Sequence, residues 1–252
     1  MDPKKQKKLQ KAYSDRAYKS YFRKGWQPPV SVLIGDFINY YPLKKAISLL
    51  PFSLKGKTVL NICCGDGFEA EYFVKLGAKV TVSDISEEAV KAARRRCSKV
   101  KGVVADAENL PFKDESFDLI IIREGLHHLP NPYKGIAEIT RVSRRGFIFI
   151  EAQKNFITKI LIKLGLAEEY EESGNYVYRF TRKEIHGLMQ RLWVRNYIIK
   201  TIWCRHAAFL YKGVYLFFNN KFWLVIFKFF FFSFNTLFSR WGNTLIVAGW
   251  KD

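Results

Sequence analysis

The sequence predicts an α/β domain built on a mostly parallel sheet, with helices on both of its faces. Three observations support this prediction. From residue 57 onwards, short apolar runs alternate with amphipathic segments, which is the pattern of βαβ units. The 252 residues are enough for one such domain with additions. A hydrophobic share of 48% beside 26% charged residues indicates a globular chain rather than a disordered one.

Residues 1–56 are predicted to form an N-terminal helical arm, and residues 57–252 to form the domain itself. Residues 1–26 intersperse Lys and Arg with Tyr and Phe, and Pro28–Pro29 closes this segment. A second helical stretch, Val32–Leu50, leads to the domain. Because no long apolar run follows the basic N-terminus, we expect no secretory signal. We expect the arm to act as a lid over the site or as a contact for lipid headgroups.

Seven apolar segments are predicted as strands, and the helices between them have matching start and stop signals. Gly77 is placed to end the first helix of the domain, and Ser86 to cap the second. Asn131 is an N-cap candidate, and Thr181 opens a capping box with Glu184. The predicted strands are Thr58–Cys63, Lys79–Ser83, Lys101–Ala105, Phe117–Ile122, Gly146–Glu151, Arg195–Cys204 and Asn243–Trp250.

An aromatic insertion at about residues 205–241 separates the last two predicted strands. Its C-terminal part places Lys221, Lys228 and Asn235 on one narrow helical stripe among apolar residues. We expect this helix either to be deeply buried or to lie in a membrane interface with its lysines toward the headgroups. The preceding segment, Ala207–Phe218, is too short to cross a bilayer. The insertion is therefore predicted to be a helical hairpin.

A glycine turn joins the first predicted strand to the first helix of the domain. In the run VLNICCGDGFEA, Gly65 and Gly67 allow the backbone to approach a ligand closely. The helix that begins near Phe68 directs free N–H groups toward the same place. The turn also satisfies the GxGxxA pattern of dinucleotide-binding dehydrogenases. By itself, it therefore does not identify the ligand or the class of enzyme.

Acidic residues end the second and the third predicted strands. Asp84 stands where a carboxylate accepts hydrogen bonds from both hydroxyls of a ribose. Asp106 stands near the expected position of an adenine amino group. Together with the glycine turn, these two acids predict a nucleotide-type cofactor.

Five blocks follow one another between Val59 and Glu151: VLNICCGDG, VTVSDIS, VVADAENLPF, FDLIIIREGLHHLPNP and EITRVSRRGFIFIE. In this order and spacing, they resemble the type 11 family of class I methyltransferases. The resemblance implies a Rossmann-like seven-stranded methyltransferase sheet and S-adenosylmethionine (SAM) as the cofactor. A dehydrogenase is not expected to contain the third block or the LHHL segment of the fourth.

The resemblance also implies which residues hold the cofactor. The backbone of the glycine turn is expected to hold the methionine end of SAM, the acid after the second strand the ribose, and the acid after the third strand the adenine. The expected cofactor-binding residues are Asn61, Cys63, Gly65, Asp66, Gly67, Asp84, Ile85, Asp106, Ala107 and Arg123.

Two residues depart from the family pattern. Asn61 stands where the family usually has an acid, and Cys63 stands where it has a first glycine. The amide of Asn61 still makes hydrogen bonds but supplies no charge. A degenerate copy of the fold that binds SAM without turnover therefore remains an alternative.

The segment after the fourth predicted strand contains the candidate catalytic residues. Methyl transfer depends mainly on positioning, and it needs a base only where the acceptor must lose a proton. His128 and His127 are the first candidates for that base, followed by Glu124, although both histidines also suit local packing. No metal is expected, because the sequence shows no His, Cys and carboxylate cluster at ligand spacing.

The composition indicates the partners. Lys and Arg number 42 against 23 Asp and Glu, a formal charge of +19, which predicts an anionic partner. The four cysteines show no paired spacing, so we expect free thiols and a cytoplasmic protein. The phenylalanine-rich insertion favours a small-molecule or lipid-like acceptor and peripheral contact with the inner membrane face. An RNA methyltransferase, and an insertion that packs on the domain or forms a homodimer interface, remain the alternatives.

Overall fold

Seven strands form one sheet in the order β3-β2-β1-β4-β5-β7-β6. Six of them run in the same direction, and β7 runs in the opposite direction between β5 and β6. This computed structural model describes residues 2–23, 33–171, 173–204 and 220–251. The predicted Pro28–Pro29 break and the first half of the predicted hairpin lie outside those residues. The strands are β1 Thr58–Ile62, β2 Lys79–Asp84, β3 Lys101–Val104, β4 Phe117–Arg123, β5 Ser143–Ala152, β6 Asn196–Ile202 and β7 Thr244–Trp250.

All seven predicted strands are confirmed, and their bounds differ from the prediction by a few residues. The largest differences lie at Ser143, where β5 begins earlier than predicted, and at Ile202, where β6 ends earlier. The central strands β1, β4, β5 and β7 are almost entirely buried, because helices cover both faces of the sheet. That double burial explains their continuous apolar sequence.

Helices flank the sheet and begin at the predicted caps. The Ser86 hydroxyl accepts a hydrogen bond from the N–H of Ala89, and Thr181 forms the predicted capping box with Glu184. One short helix was not predicted, and it begins at a capping box formed by Asn155 and Thr158. The helices are α1 Pro3–Arg23, α2 Leu33–Ile47, α3 Phe68–Lys75, α4 Glu87–Arg96, α5 Pro132–Val142, α6 Phe156–Lys163, α7 Arg182–Arg191 and α8 Lys221–Phe238.

Two apolar cores lie on opposite faces of the sheet. One contains buried side chains of α2, α3 and α4 together with alternate residues of the strands, such as Ile121 and Ile148. The other contains side chains of α5 and α7 with the intervening strand residues, such as Ile120 and Phe147. The two-residue alternation along each strand therefore divides the side chains between the two cores.

Helix α8 packs against α2 through the side that the sequence predicts to be polar. Asn235 is buried, and its side chain makes hydrogen bonds to both the N–H and the carbonyl of Trp203. The ammonium of Lys228 lies 5.3 Å from the centre of the Phe37 ring. Lys228 and Asn235 therefore contact the protein, and Asn235 satisfies backbone groups that follow β6. The membrane-interface alternative for this helix stays a prediction.

Candidate active site

A cleft opens at the carboxyl ends of β1, β2 and β3, beside the point where the chain crosses to β4 on the other side of β1. Ligands of open α/β sheets bind at such a switch point. The cleft has a volume of about 190 Å³. Its lining consists of Lys7, Gln10, Ser14 and Tyr18 of α1 with Cys63, Gly65, Asp84, Ile85, Ala105, Asp106, Ala107, Glu124, His128, Leu129 and Pro130.

Most of the residues predicted from the sequence meet in this cleft. Eight of them line it: Cys63, Gly65, Asp84, Ile85, Asp106, Ala107, Glu124 and His128. Five others do not line it: Asn61, Asp66, Gly67, Arg123 and His127. Each of these five has a role that follows from its contacts.

The two glycines of the turn serve different purposes. Gly65 faces the cleft with a φ of 50°, and a Cβ there would lie 2.7 Å from the hydroxyl of Tyr18. Gly67 has a φ of 79°, and its Cβ would lie 2.7 Å from the Cβ of Ala93. Gly67 is therefore required for the close packing of α3 against α4, rather than for ligand contact.

Asp84 joins the end of β2 to the glycine turn. One carboxylate oxygen accepts a hydrogen bond from the N–H of Gly65 at 3.2 Å, and the other accepts from the N–H of Ser86 at 3.0 Å. Burial raises the pKa of Asp84, while these two backbone donors act in the opposite direction. Each oxygen retains a lone pair for a further donor in the cleft.

Asp106, at the end of β3, is bound by the N-terminal helix. Lys7 of α1 places its ammonium 2.6 Å from the carboxylate of Asp106 and 2.6 Å from that of Glu108. Burial opposes the charge of Lys7, but the two carboxylates outweigh it and raise the pKa of Lys7. The lysine thus neutralises the acids that follow the third strand.

Three further contacts hold α1 across the cleft. Asp15 accepts a hydrogen bond of 2.6 Å from the hydroxyl of Ser86, and Gln10 accepts one from the side-chain amide of Asn175. Tyr18 lies over Gly65, as described above. Pockets for small ligands usually measure about 300–1,000 Å³. This cleft is smaller because α1 occupies its open side.

His127 and His128 differ in their surroundings although they are neighbours in sequence. His127 is buried, with Nδ1 lying 2.7 Å from Glu151 and Nε2 lying 3.2 Å from Glu171. His128 lines the cleft, and its Nδ1 lies 2.9 Å from the other oxygen of Glu171. His127 therefore does not face the cleft as the prediction of a base there requires, because Glu151 and Glu171 hold its ring inside the protein.

Glu151 and Glu171 are functional residues that sequence reasoning missed. Glu151 also accepts hydrogen bonds from the N–H groups of Gly125 and Leu126, at 2.8 and 2.7 Å. Burial raises the pKa of Glu171, but hydrogen bonds and charge from the two histidines outweigh it and lower that pKa well below its usual range. Glu171 follows His127 by 44 residues, so no spacing along the chain reveals the contact.

His127, His128 and Glu171 also bring ligand-type atoms within 4.8 Å of one another. The sequence shows no such cluster, because one of its members lies on a distant loop. Glu151 and Glu171 hold the ring of His127, whereas Nδ1 of His128 lies near Glu171 without a hydrogen-bond partner among the described residues. The expectation of no metal remains a prediction.

Arg123 and Asp66 are held in ion pairs outside the cleft. The guanidinium of Arg123 lies 3.2 Å from Glu69 of α3 and donates a hydrogen bond to the carbonyl of Asn39 in α2. Asp66 pairs with Arg96 of α4. The predicted place of Arg123 beside the cofactor is therefore wrong, since its side chain points to the helices that cover the other face of β4.

Asn61 lies buried in β1, just before the turn. Its side-chain N–H makes one long hydrogen bond to the carbonyl of Ile62, at 3.4 Å. Its Oδ1 has no hydrogen-bond partner among the described residues. A buried acceptor without a donor is costly, so this atom suits a donor supplied by a ligand.

Cys63 adopts a left-handed backbone conformation with a φ of 50°. The side chain fits because Gly125 has no Cβ: one built there would lie 2.6 Å from the Cβ of Cys63. Burial raises the pKa of the Cys63 thiol well above its usual value. The sulfur is therefore protonated at neutral pH and is not a nucleophile.

Residues 60–150 match the family described as methyltransferase domain, type 11. This segment contains β1 through β5 and most of the lining of the cleft. This segment is similar to a methyltransferase domain, and the match covers less than half of the chain. Gly65, Asp84 and Asp106 line the cleft, and their roles toward a cofactor stay predictions.

Curated relatives match part of the chain. A demethylmenaquinone methyltransferase of Clavibacter sepedonicus is 37% identical over 94 residues, which cover 36% of this chain and 38% of that protein. A phthiotriol/phenolphthiotriol dimycocerosates methyltransferase of Mycobacterium ulcerans is 39% identical over 97 residues, which cover 37% of this chain and 36% of that protein. The alignments thus span about two fifths of the length of either relative.

A solved structure matches the methyltransferase domain together with its additions. Magnesium protoporphyrin IX methyltransferase of Synechocystis, with bound S-adenosylhomocysteine, superimposes with a TM-score of 0.62 at 16% identity. The superposition covers 98% of this chain and 100% of that chain. This likeness confirms the fold that the sequence predicts.

Proposed function

We propose that this chain is a SAM-dependent methyltransferase that acts on a small-molecule or lipid-linked acceptor. One observation supports this above the others: the glycine turn and the acids of two successive strands meet in a single cleft. Cys63, Gly65, Asp84, Ile85 and Asp106 all line it. A ribose and an adenine require such donors and acceptors at the switch point of a parallel sheet.

The residues of the cleft fit SAM by their chemistry. Asp84 is a buried acceptor suited to ribose hydroxyls, and Asp106 is an acceptor suited to the adenine amino group once Lys7 releases it. Asn61 does not line the cleft but is buried just before the glycine turn, and its unpartnered Oδ1 suits a donor such as the ammonium at the methionine end. Bound there, SAM supplies an electrophilic methyl group on its sulfonium.

The remaining residues are placed to manage the proton of the acceptor. The Nδ1 of His128 faces Glu171, so Nε2 is the ring nitrogen left to take a proton from an acceptor in the cleft. The nearby carboxylate of Glu171 stabilises the imidazolium that results. Glu124, which has a φ of 52°, also lines the cleft and contributes a second polar group.

The relatives support the class of acceptor. One relative is named for a quinone, demethylmenaquinone, and the other for a lipid-like substrate, phthiotriol dimycocerosates. The charge of +19 also suits RNA. We favour the apolar acceptor because the aromatic insertion and the named relatives point to the same chemistry.

Cofactor binding is tested by isothermal calorimetry with SAM and the full chain. Asp84→Asn should weaken binding at least tenfold, because an amide cannot accept from two hydroxyls while also holding the turn. The matched control is Asp114→Asn, which changes an exposed acid whose ion pair with Arg141 contributes little. Wild-type affinity in Asp84→Asn would remove the assigned role of this residue.

Turnover is tested with SAM and demethylmenaquinone, by mass spectrometry of the extracted quinone. We expect a product in which one hydrogen of the quinone is replaced by a methyl group. His128→Ala should not form this product. SAM binding without methylation of quinone, lipid or RNA would instead support the degenerate, binding-only alternative. Methylation of RNA alone would overturn the proposed acceptor class while leaving the cofactor assignment intact.

A further inference from the structure

Helix α8 exposes a broad aromatic face. Its outward residues include several of the most exposed large apolar side chains among the described residues, with 66–70% of the surface of each open to solvent. Isolated exposed apolar residues are ordinary, but a continuous face of them marks an interaction site. These residues are Phe222, Val225, Phe229, Phe230 and Leu237.

The opposite side of α8 fixes the helix on the domain. Phe231 packs on Phe37 and Tyr41 of α2, with ring centres 5.2 and 4.9 Å apart. Asn235 holds the backbone of Trp203. Lys221–Trp241 is long and apolar enough to cross a membrane by length and composition. Its contacts with α2 instead make it a helix that lies along a surface, with one side on protein and the other exposed.

Helix α6 continues the exposed apolar surface. The side-chain amide of Asn155, which caps α6, donates hydrogen bonds to the carbonyls of Trp241 and Gly242 at 3.0 and 2.8 Å. Beyond this junction, α6 and the residues after it expose Phe156, Leu164 and Leu166. From here on, the aromatic face means these three residues together with the five exposed apolar residues of α8 named above.

Cations and tryptophans surround the aromatic face. Lys159 and Lys163 of α6, Lys221 at the start of α8 and Arg240 after its end are all exposed. Trp223 and Trp241 stand near the two ends of the apolar helix and are partly exposed. An apolar face with basic residues at its margin and tryptophan at its ends is suited to the interface of an anionic bilayer.

We propose that the aromatic face docks this protein on the surface of an anionic lipid bilayer. The face adjoins the edge of the sheet that holds the cleft, since α6 follows directly after the carboxyl end of β5. Docking would therefore bring the cleft close to the bilayer, where apolar acceptors dissolve. The proposal is separate from the proposed function, because binding to lipid requires neither SAM nor turnover.

Vesicle flotation with the full chain tests the proposal. The vesicles are of phosphatidylcholine alone or of phosphatidylcholine with phosphatidylglycerol. Wild type should float with the anionic vesicles, and less with the neutral ones or at high salt. Phe229→Gln/Leu237→Gln should reduce the bound fraction at least tenfold. The matched control is Trp193→Gln, because Trp193 is even more exposed, at 86%, but precedes β6 at the opposite edge of the sheet.

Two results would overturn the proposal. One is equal flotation of the double variant and wild type, which would place lipid contact elsewhere. The other is a wild type that does not bind vesicles but sediments as a dimer, which the double variant makes monomeric. That outcome would assign the aromatic face to a second copy of the chain. Circular dichroism and thermal melting show that each variant is folded, and Phe222→Gln, in the first turn of α8, replaces the double variant if it does not fold.

Discussion

Carboxylates far apart in sequence determine the roles of two adjacent histidines. Glu151 and Glu171 hold both nitrogens of His127, so this residue supports the loop after β4. His128 keeps one ring nitrogen for the cleft. The distinction depends on which side chain faces the interior at the end of a strand, and the sequence HH does not contain that information.

Glu171 predicts a pH-dependent contribution to stability. Its pKa in the folded protein lies below the ordinary value of 4.5, so the stabilisation is fully present above that pH and is lost as the pH falls toward the folded pKa. Glu171→Gln should lower the free energy of unfolding by about 1 kcal/mol near pH 6, allowing for its partial exposure. The difference from wild type should shrink toward about pH 3.

Urea unfolding between pH 3 and pH 6 measures the difference in free energy of unfolding between wild type and Glu171→Gln. Glu169→Gln changes an exposed carboxylate on the same loop and should have little effect at any pH. A difference between wild type and Glu171→Gln that stays constant from pH 6 to pH 3 would contradict the assigned role of the two histidines.

At the scale of elements, α1 is positioned as a lid on the cleft. Lys7 and Asp15 attach it to residues that follow β3 and β2. Lys7→Gln should raise both the association and the dissociation rate constants of SAM several-fold, because the helix then leaves the cleft more often. Stopped-flow tryptophan fluorescence measures both rates.

The control for the lid is Lys8→Gln, an equal loss of charge on an exposed position of the same helix. Its rates should match those of wild type. Unchanged rates in Lys7→Gln would mean that α1 stays in place while the ligand enters by another route.

The elements that follow local rules could be predicted from the sequence, and those that depend on tertiary contacts could not. Ser86 and Thr181 specify their helices through their own side chains. Helix α6 is only eight residues long and lies mostly exposed, so periodicity did not indicate it. Likewise, the stripe of Asn235 was identified, but only the backbone of Trp203 determines which way it faces.

The same holds for the candidate site. Gly65, Asp84 and Asp106 were identified because the ends of parallel strands necessarily converge at one edge of a sheet. Arg123 follows β4 at that edge, yet its side chain turns to Glu69 on α3. The direction of a side chain at the end of a strand depends on ion pairs with neighbouring helices, which no local pattern specifies.

At the scale of the whole molecule, the site is formed by the central strands that separate the two cores. Opening β1 and β2 would disturb both cores, so cofactor binding should stabilise the entire fold. SAM at about a hundredfold excess over its dissociation constant should add about 2.7 kcal/mol. For a domain of this size, that corresponds to a rise of roughly 5–10 °C in the melting temperature.

Differential scanning calorimetry with and without SAM measures this rise. At the same SAM concentration, tenfold weaker binding in Asp84→Asn should leave at most about half of this rise, since the added stability falls to about 1.4 kcal/mol. If SAM binds but only one of two separate transitions moves, the two cores unfold independently, and the expected coupling is wrong.

Cys63 and Gly125 share the space of a single side chain at the glycine turn. The cysteine occupies the space that a Cβ at residue 125 would fill. The constraint acts in one direction: residue 63 can lose its side chain while Gly125 stays, but residue 125 can gain one only after residue 63 has lost its own. Cys63→Gly is therefore the substitution that must come first on any route to a side chain at residue 125.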